Sequence, residues 1–363
     1  MKKKKYNTFL VAGGTGGHIF PALSFSDFLK SKGVSNIIIT DDRGSKYFNK
    51  SEYENIKISA SHLNKKNLNF VKSIFLLLIG FFEFIILLIR ERPNQIISFG
   101  SYVAFSPLLA TIIFKNIFNI KIYFHEQNSV IGKVHKIFHF SSNKIFLSYE
   151  NTIGIKNNHK TIYSGFPLRK NIKEFKKDNL NDFELDKTFN LFVFGGSQGS
   201  LNLSKIIIDL IKSLPTETKK NINLTIQVPK QYLENFKKIL EDIKINFEIN
   251  YFYKDIYFKL SKTDLCICRS GSSTINELIS LKVPSILVPL PIASNNHQFY
   301  NAKFLENLGS AILIEEKYLE SDKTLEMLKN IIKDKNLLKD MYVNLNNIKQ
   351  LDSNKIIFEE IYQ

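Results

Sequence analysis

Cysteine is nearly absent: the 363-residue chain holds two, Cys266 and Cys268, either side of Ile267 in the apolar run Asp264-Leu-Cys-Ile-Cys268. A strand places both on one face, yet they stand too close in sequence to bridge each other without strain. No second Cys or His pair lies nearby at zinc spacing, so two small buried side chains account for them better than a metal pair, and a reducing cytoplasm fits. Long low-complexity tracts are also missing. With 44% apolar and 13% aromatic residues the chain has what folding needs to offset its entropy, which excludes disorder. No export signal is expected either: Met1 to Lys5 is basic, but only Phe9 to Ala12 follow before glycines intervene, too short an apolar segment.

Acidic residues are outnumbered, 34 Asp+Glu against 50 Lys+Arg, for a formal charge of +16. Such a surplus draws nucleic acid, acidic lipid or phosphorylated substrates. The basic residues are scattered rather than grouped with stacking aromatics, so no nucleic-acid partner is expected. One long apolar run stands out, Ile74 to Ile89, interrupted only by Gly80 and Glu83. A spanning helix needs about 20 apolar residues and is harmed by a mid-helix carboxylate. Flanked by Lys65, Lys66, Lys72, Arg90 and Arg92, the run reads as a helix lying on an anionic membrane surface or dipping into it, with a buried core helix as the alternative.

Length suits two domains, and an internal echo places them. Thr8-Phe-Leu-Val-Ala-Gly-Gly-Thr-Gly-Gly17 and Asn190-Leu-Phe-Val-Phe-Gly-Gly-Ser-Gln-Gly199 share one grammar, an apolar strand, a glycine-rich turn with a hydroxyl residue, then a helix-like segment. Each is expected to open its own doubly wound, Rossmann-like α/β domain. Further strands are expected at Asn36–Thr40, Gln95–Phe99, Lys121–Phe124 and Lys144–Leu147, then at Leu224–Val228, Asp264–Cys268 and Ser285–Val288. Helices are expected between them, including Ser204–Leu214, Gln231–Leu240, Thr274–Leu281 and Gln298–Leu308. The pattern pauses near Tyr163-Ser-Gly-Phe-Pro167, giving boundaries of 1–164 and 165–340, with a helical remainder at 341–363 expected to pack back on the first domain.

The loop Gly13-Gly-Thr-Gly-Gly-His18 precedes a helix, so its amides and the positive helix end suit an anion. It matches neither the dinucleotide pattern nor the P-loop. Asp41, ending the second strand, could mimic the acidic ribose ligand of a nicotinamide enzyme, a weaker reading. His18 stands at the loop's mouth as a candidate proton acceptor or a plain helix-capping residue. The second loop, Gly195-Gly-Ser-Gln-Gly199, repeats the amide cradle and adds Ser197 and Gln198 as donors. A third turn, Arg269-Ser-Gly-Ser-Ser-Thr274, could seat a diphosphate, with Glu277 reaching ribose hydroxyls; Thr274-Ile-Asn-Glu277 is equally a capping box. His125-Glu-Gln-Asn128 and Asn296-His-Gln-Phe-Tyr-Asn-Ala302 follow strands at the edge where open sheets bind ligands, and four successive polar residues are not expected in a core.

Together, GGTGGHIFPAL (13–23), HEQN (125–128), FGGSQG (194–199), CRSGSSTINEL (268–278) and NHQFYNA (296–302) resemble the MurG family, UDP-N-acetylglucosamine transferases that complete the lipid-linked peptidoglycan disaccharide. The resemblance implies an α/β fold of GT-B type, two doubly wound Rossmann-like domains facing a central cleft. It implies UDP-N-acetylglucosamine as donor, an undecaprenyl-linked muramoyl-peptide lipid as acceptor, and a peripheral location on the cytoplasmic face of the plasma membrane. Donor contacts carry over to Ser197, Ser272, Ser273, Thr274 and Glu277, to His297 and Gln298 for the sugar, and to Tyr253 at the uracil. Asn128 and Arg169 are expected to help hold the donor, and Thr15, Gly16 and Gly17 to bind the acceptor diphosphate or close over the donor. The acceptor is expected to meet Gly14, Thr15, His18, Glu126 and Asn128. Three stretches depart from the family pattern: Gly165-Phe-Pro-Leu-Arg169 has Phe166 in place of an amide, Gln227-Val-Pro229 replaces Gln-Thr/Ser-Gly, and Gly100-Ser-Tyr102 replaces Gly-Gly-Tyr.

The chemistry expected is a direct displacement that inverts the anomeric carbon, with His18 as base. No Asp-x-Asp pair occurs in the chain, so helix amides rather than a metal are expected to meet the leaving diphosphate, and no cofactor is expected. The rival is another GT-B UDP-sugar transferase with a different acceptor.

Overall fold

Thr8–Val11 forms strand β1, buried throughout, and its side chains alternate between the two faces of a sheet. Phe9 and Val11 point into one core cluster, Leu10 and the following Ala12 into another. A strand buried on both faces is the mark of a parallel sheet covered by helices. The computed structural model describes residues 6–49, 51–62, 69–175, 188–196 and 199–362. These fall into two compact units, residues 1–169 with 351–363, and residues 170–350.

In the first unit the elements run β1, α1 (Gly16–Ser31), β2 (Asn36–Thr40), β3 (Asn55–Lys57), α2 (Asn69–Glu91), β4 (Gln95–Ser98), α3 (Phe105–Phe118), β5 (Lys121–Glu126), α4 (Lys133–Phe138), β6 (Lys144–Leu147) and β7 (Thr161–Tyr163). The strands form one parallel sheet ordered β3-β2-β1-β4-β5-β6-β7. Helices α2 and α3 cover one face through Phe84, Leu87, Leu88 and Leu108. The other face is covered by Ile19, Ala22, Phe25 and Leu29 of α1, and by Ile357 and Ile361 from a helix beyond the second unit, Ser353–Tyr362. That helix is pinned to the first unit by Thr8 Oγ1 and Tyr362 OH at 2.6 Å, and by Asn354 Nδ2 donating to Ser24 Oγ at 3.0 Å.

The apolar run expected at Ile74–Ile89 is the middle of α2, whose length and composition would suffice to cross a membrane. It is instead a two-faced element of the domain. Leu77, Phe84, Leu87 and Leu88 are core, whereas Val71, Phe75, Leu78, Phe82, Ile86 and Ile89 are exposed. Its two non-apolar residues make one joint. A side chain at Gly80 would strike the Ser59 carbonyl, and Glu83 accepts the Ser59 amide at 2.7 Å and its hydroxyl at 3.1 Å. The core-helix alternative therefore holds for one face of this helix, and the other face is apolar and exposed. Lys65 and Lys66 lie outside the described residues.

The second unit runs α5 (Lys170–Glu174), β8 (Phe189–Phe194), α6 (Leu201–Lys212), α7 (Thr216–Lys220), β9 (Ile222–Gln227), α8 (Leu233–Ile243), β10 (Asn246–Asn250), α9 (Ile256–Ser261), β11 (Leu265–Cys268), α10 (Ser272–Leu281), β12 (Ser285–Leu287), α11 (His297–Asn307), β13 (Ala311–Leu313), α12 (Asp322–Lys333) and α13 (Asn336–Asn347); the helix at Ser353–Tyr362 is α14. Its parallel sheet is ordered β10-β9-β8-β11-β12-β13. The two thiols of β11 are free and buried, and burial pushes Cys266 well above its usual range.

Candidate active site

In each sheet the strand order reverses beside the first strand of its unit, between β1 and β4 in one and between β8 and β11 in the other. Loops leaving the two central strands diverge there and open a crevice at the sheet's carboxyl edge. The first crevice is bordered by Ala12–Thr15 and Phe99–Ser101. Gly14 and Gly100 have φ of +77° and +83°, which glycine adopts freely. Ser101 has φ +74° and ψ 160°, a region glycine alone occupies without strain. Asp41 stiffens this edge: Oδ1 accepts the amides of Gly14 and Gly44, and Oδ2 takes the Tyr102 hydroxyl. Its carboxylate is thus occupied by the loops, which removes the nicotinamide reading. The His62 ring lies 3.8 Å from that of Tyr102.

Helix α1 starts at Gly16 with Thr15 as an extended N-cap whose side chain makes no capping bond, so first-turn amides point outward with an exposed hydroxyl beside them. His18, half-buried in that turn, has Nδ1 2.8 Å from the Phe99 carbonyl and 3.2 Å from Gln127 Oε1. Both partners are acceptors, so the network puts the proton on Nδ1 and leaves the Nε2 lone pair bare. Burial lowers its pKa below the ordinary 6.5, against the opposing pull of the Phe99 bond and the Glu126 charge, and keeps the ring neutral at neutral pH.

His125, Glu126 and Gln127 are buried; of the four residues expected to face a ligand, only Asn128 is half-exposed. Gln127 Nε2 donates to the His125 carbonyl at 2.8 Å and to His125 Nδ1 at 3.1 Å, and His125 Nε2–H donates to the Gly165 carbonyl at 3.1 Å. These bonds aim Gln127 at His18. Burial, the largest effect, lowers the His125 pKa to about 4. Glu126, 2% exposed, has its oxygens engaged by the amides of Asn128 and Gly132 and by His135 Nδ1 at 3.0 Å. It therefore serves the crevice from beneath rather than meeting an acceptor directly. Burial alone would raise its pKa, but the His135 bond and charge and the two amides bring it down to about 2. Arg169 lays its guanidinium 4.6 Å from the Phe20 ring centre.

In the second unit Gly195 cannot carry a side chain without striking Ser200, and Gly196 and Gly199 have positive φ. Ser197 and Gln198 lie outside the described residues. Ser200 caps α6 and receives Arg269 at 3.0 Å; the same guanidinium pairs with Glu316. Helix α10 begins at Ser272 with Gly271 as N-cap, two residues before the expected start. Ser272, Ser273 and Thr274 thus form the first turn, and Thr274 is no N-cap, so the capping-box reading of Thr274 and Glu277 falls. Glu277 is buried. Gln298 Oε1 accepts the Leu290 amide at 2.9 Å beside half-buried His297, and Ser270 Oγ donates to the Gln298 carbonyl at 2.8 Å. Asn250 to Asp255 and Lys259 line a cavity of about 390 Å³. Tyr253 turns its hydroxyl to the carbonyls of Ile226 and Glu248, leaving backbone groups to that cavity. Sequence reasoning missed Ser98, Phe99 and His135 as parts of this network, because their contacts join segments far apart in the chain; Gln127 lies inside the HEQN motif, but its bond to His18 has no local signal.

Two doubly wound units, each with a glycine loop and a helix N-terminus at its switch point, define a GT-B glycosyltransferase. Residues 8–147 match the glycosyltransferase family 28 N-terminal domain and residues 190–355 the glycosyltransferase family 28 C-terminal domain. The UDP-N-acetylglucosamine--N-acetylmuramyl-(pentapeptide) pyrophosphoryl-undecaprenol N-acetylglucosamine transferase of Rickettsia bellii is 34% identical, covering 89% of this chain and 90% of that one. Its namesake from Wolbachia pipientis wMel is 31% identical, covering 92% of each. The crystal structure of Acinetobacter baumannii MurG shares the fold, with a TM-score of 0.77, 23% identity and 99% of both chains covered. The chain belongs to the MurG family within glycosyltransferase family 28.

Proposed function

We propose that this chain transfers N-acetylglucosamine from UDP-N-acetylglucosamine to undecaprenyl-diphosphate-muramoyl-peptide, forming the lipid-linked disaccharide of peptidoglycan synthesis. Similarity at 34% identity over nearly the whole chain to a transferase named for that reaction carries the reading. The site chemistry supports it: one crevice holds a neutral imidazole with an open Nε2, and the other crevice opens on two helix starts suited to a diphosphate.

In this reaction the acceptor C4 hydroxyl attacks the anomeric carbon from the side opposite UDP. The C1–O bond to the β-phosphate breaks, UDP leaves with the electron pair, and the hydroxyl proton passes to His18 Nε2. Amides at the starts of α6 and α10 meet the charge growing on the diphosphate, where each lost donor typically costs about 2.7–4 kcal/mol of transition-state stabilisation. Ser197, Ser272, Ser273, Thr274 and Glu277 hold the nucleotide, His297 and Gln298 the sugar, and the 250–255 backbone the uracil. Arg169 and Asn128 steady the donor. Gly14, Thr15, Gly16, Gly17 and Asn128 receive the acceptor diphosphate and sugar.

The acceptor's polyprenyl chain keeps it in a bilayer, so the enzyme must work there. The exposed apolar face of α2, continued by Ile113 and Ile117 of α3 and bordered by Lys72, Arg90 and Arg92, suits peripheral attachment to an anionic membrane.

Radiolabelled sugar transfer from UDP-N-acetylglucosamine to the lipid-linked muramoyl-peptide tests the proposal against UDP-glucose and a delipidated acceptor. Turnover should require the N-acetylglucosamine donor and the lipid-linked acceptor. Efficient transfer to an unrelated acceptor, with none to the muramoyl lipid, would assign another GT-B reaction.

A further inference from the structure

Beneath the first crevice a buried chain of hydrogen bonds runs through a histidine that the reaction above does not use. His135 Nδ1 lies 3.0 Å from Glu126 Oε2, and its Nε2 lies 3.0 Å from Ser98 Oγ. Ser98 Oγ in turn receives the Gly100 amide at 3.2 Å. The polarity is fixed end to end: a carboxylate can only accept, so Nδ1 carries the proton and Nε2 accepts from the Ser98 hydroxyl. All three side chains are buried, and the His135 ring stacks on Phe124 at 4.7 Å with 9° between planes. Gly100 lies between two imidazoles: a side chain there would come within 3.3 Å of His135 Cε1 and 3.4 Å of His18 Nδ1. The carbonyl that receives His18 Nδ1–H belongs to Phe99, the residue before Gly100.

We propose that His135, with Glu126 and Ser98, is a positioning residue for His18: it clamps the Gly100 peptide and so holds the Phe99 carbonyl that fixes the His18 tautomer. This rests on His18 serving as the base. Removing His135 frees the Phe99–Ser101 turn, and His18 loses the partner that keeps its proton on Nδ1.

His135→Ala should lower kcat by about 10- to 100-fold, the size of loss that follows when the partner orienting a metal-bound histidine is removed. The KM for UDP-N-acetylglucosamine should stay within about twofold, because the contacts of the second unit are untouched and Glu126 Oε1 still accepts the Asn128 amide. Nitrogen-15 NMR of the His18 ring should change from one tautomer to a mixture, and the acid limb of the kcat profile should move. In a His18→Ala background, His135→Ala should cause little further loss. Ser98→Ala severs the same chain with a smaller cavity and decides the matter if His135→Ala does not fold. An unchanged His18 tautomer and kcat in a folded variant would overturn the proposal, as would an equal loss in the His18→Ala background. Near-native turnover by His18→Ala alone would remove the base assignment instead, and the ring spectrum would still report whether His135 sets the tautomer.

Discussion

The carboxylate of Asp41 holds the Gly14 amide at 3.1 Å, tying the end of β2 to the glycine loop after β1. Asp41→Asn keeps the shape but turns an amide group toward donors that need a charged acceptor. Stability should fall by about 1.5–3 kcal/mol, the range for bonds to a charged group. Acceptor KM should rise while donor affinity holds, as read by urea unfolding and steady-state kinetics.

Ser101 sits where only glycine rests without strain. Ser101→Gly should raise unfolding free energy by about 1 kcal/mol, since relief of strain exceeds the added chain entropy. An unchanged urea midpoint would mean that contacts of the Ser101 side chain compensate.

Acid should act in two stability windows and one activity limb. The folded pKa of His125 is lowered to about 4, so below its unfolded value of 6.5 the unfolded chain binds the proton first. Stability is full above pH 6.5 and falls toward pH 4, by on the order of 3 kcal/mol. Glu126, lowered from 4.5 to about 2, contributes stability that is lost as pH falls from 4.5 to about 2. His18 must be neutral to accept a proton and its pKa is lowered, so kcat should be flat near neutrality and fall only below pH 6.5. Unfolding and turnover measured across pH check all three.

Glu277→Ala should weaken UDP binding by about 10- to 100-fold, as loss of bonds to a charged group does. Titration calorimetry with UDP measures it. Intact affinity beside lowered stability would leave Glu277 as a packing residue of α10.

Phe75, Phe82 and Ile86 are 62%, 61% and 64% exposed on one face of α2. Changing all three to Ser should release the protein from anionic vesicles with melting temperature nearly unchanged. Phe81 and Ile85 would make poor probes, because they pack against the core.

The nine strands expected from apolar runs are the interior strands of the two sheets. The four not anticipated, β3, β7, β10 and β13, are the four sheet edges. Three of them are only three residues long, and β10 is largely half-exposed, so no buried run announces them. The glycine loops were legible because tight turns restrict residue type. The support under His18 was not, because Phe99 contributes only a carbonyl and Ser98 and His135 meet through folding alone. The helix at Ser272 starts early because Gly271, with no side-chain cap, ends the turn after β11.

Helix α14 belongs to a sheet whose other elements lie before residue 170, with the entire second unit intervening. During synthesis the part of that sheet face which α14 covers beside α1 therefore stays open until residues 170–350 have been made, roughly 10–40 s at about 5–20 residues per second. A nascent amino-terminal half that ends before Ser353 lacks Ile357 and Ile361, so apolar side chains of α1 and the sheet that they cover meet water until the chain is finished.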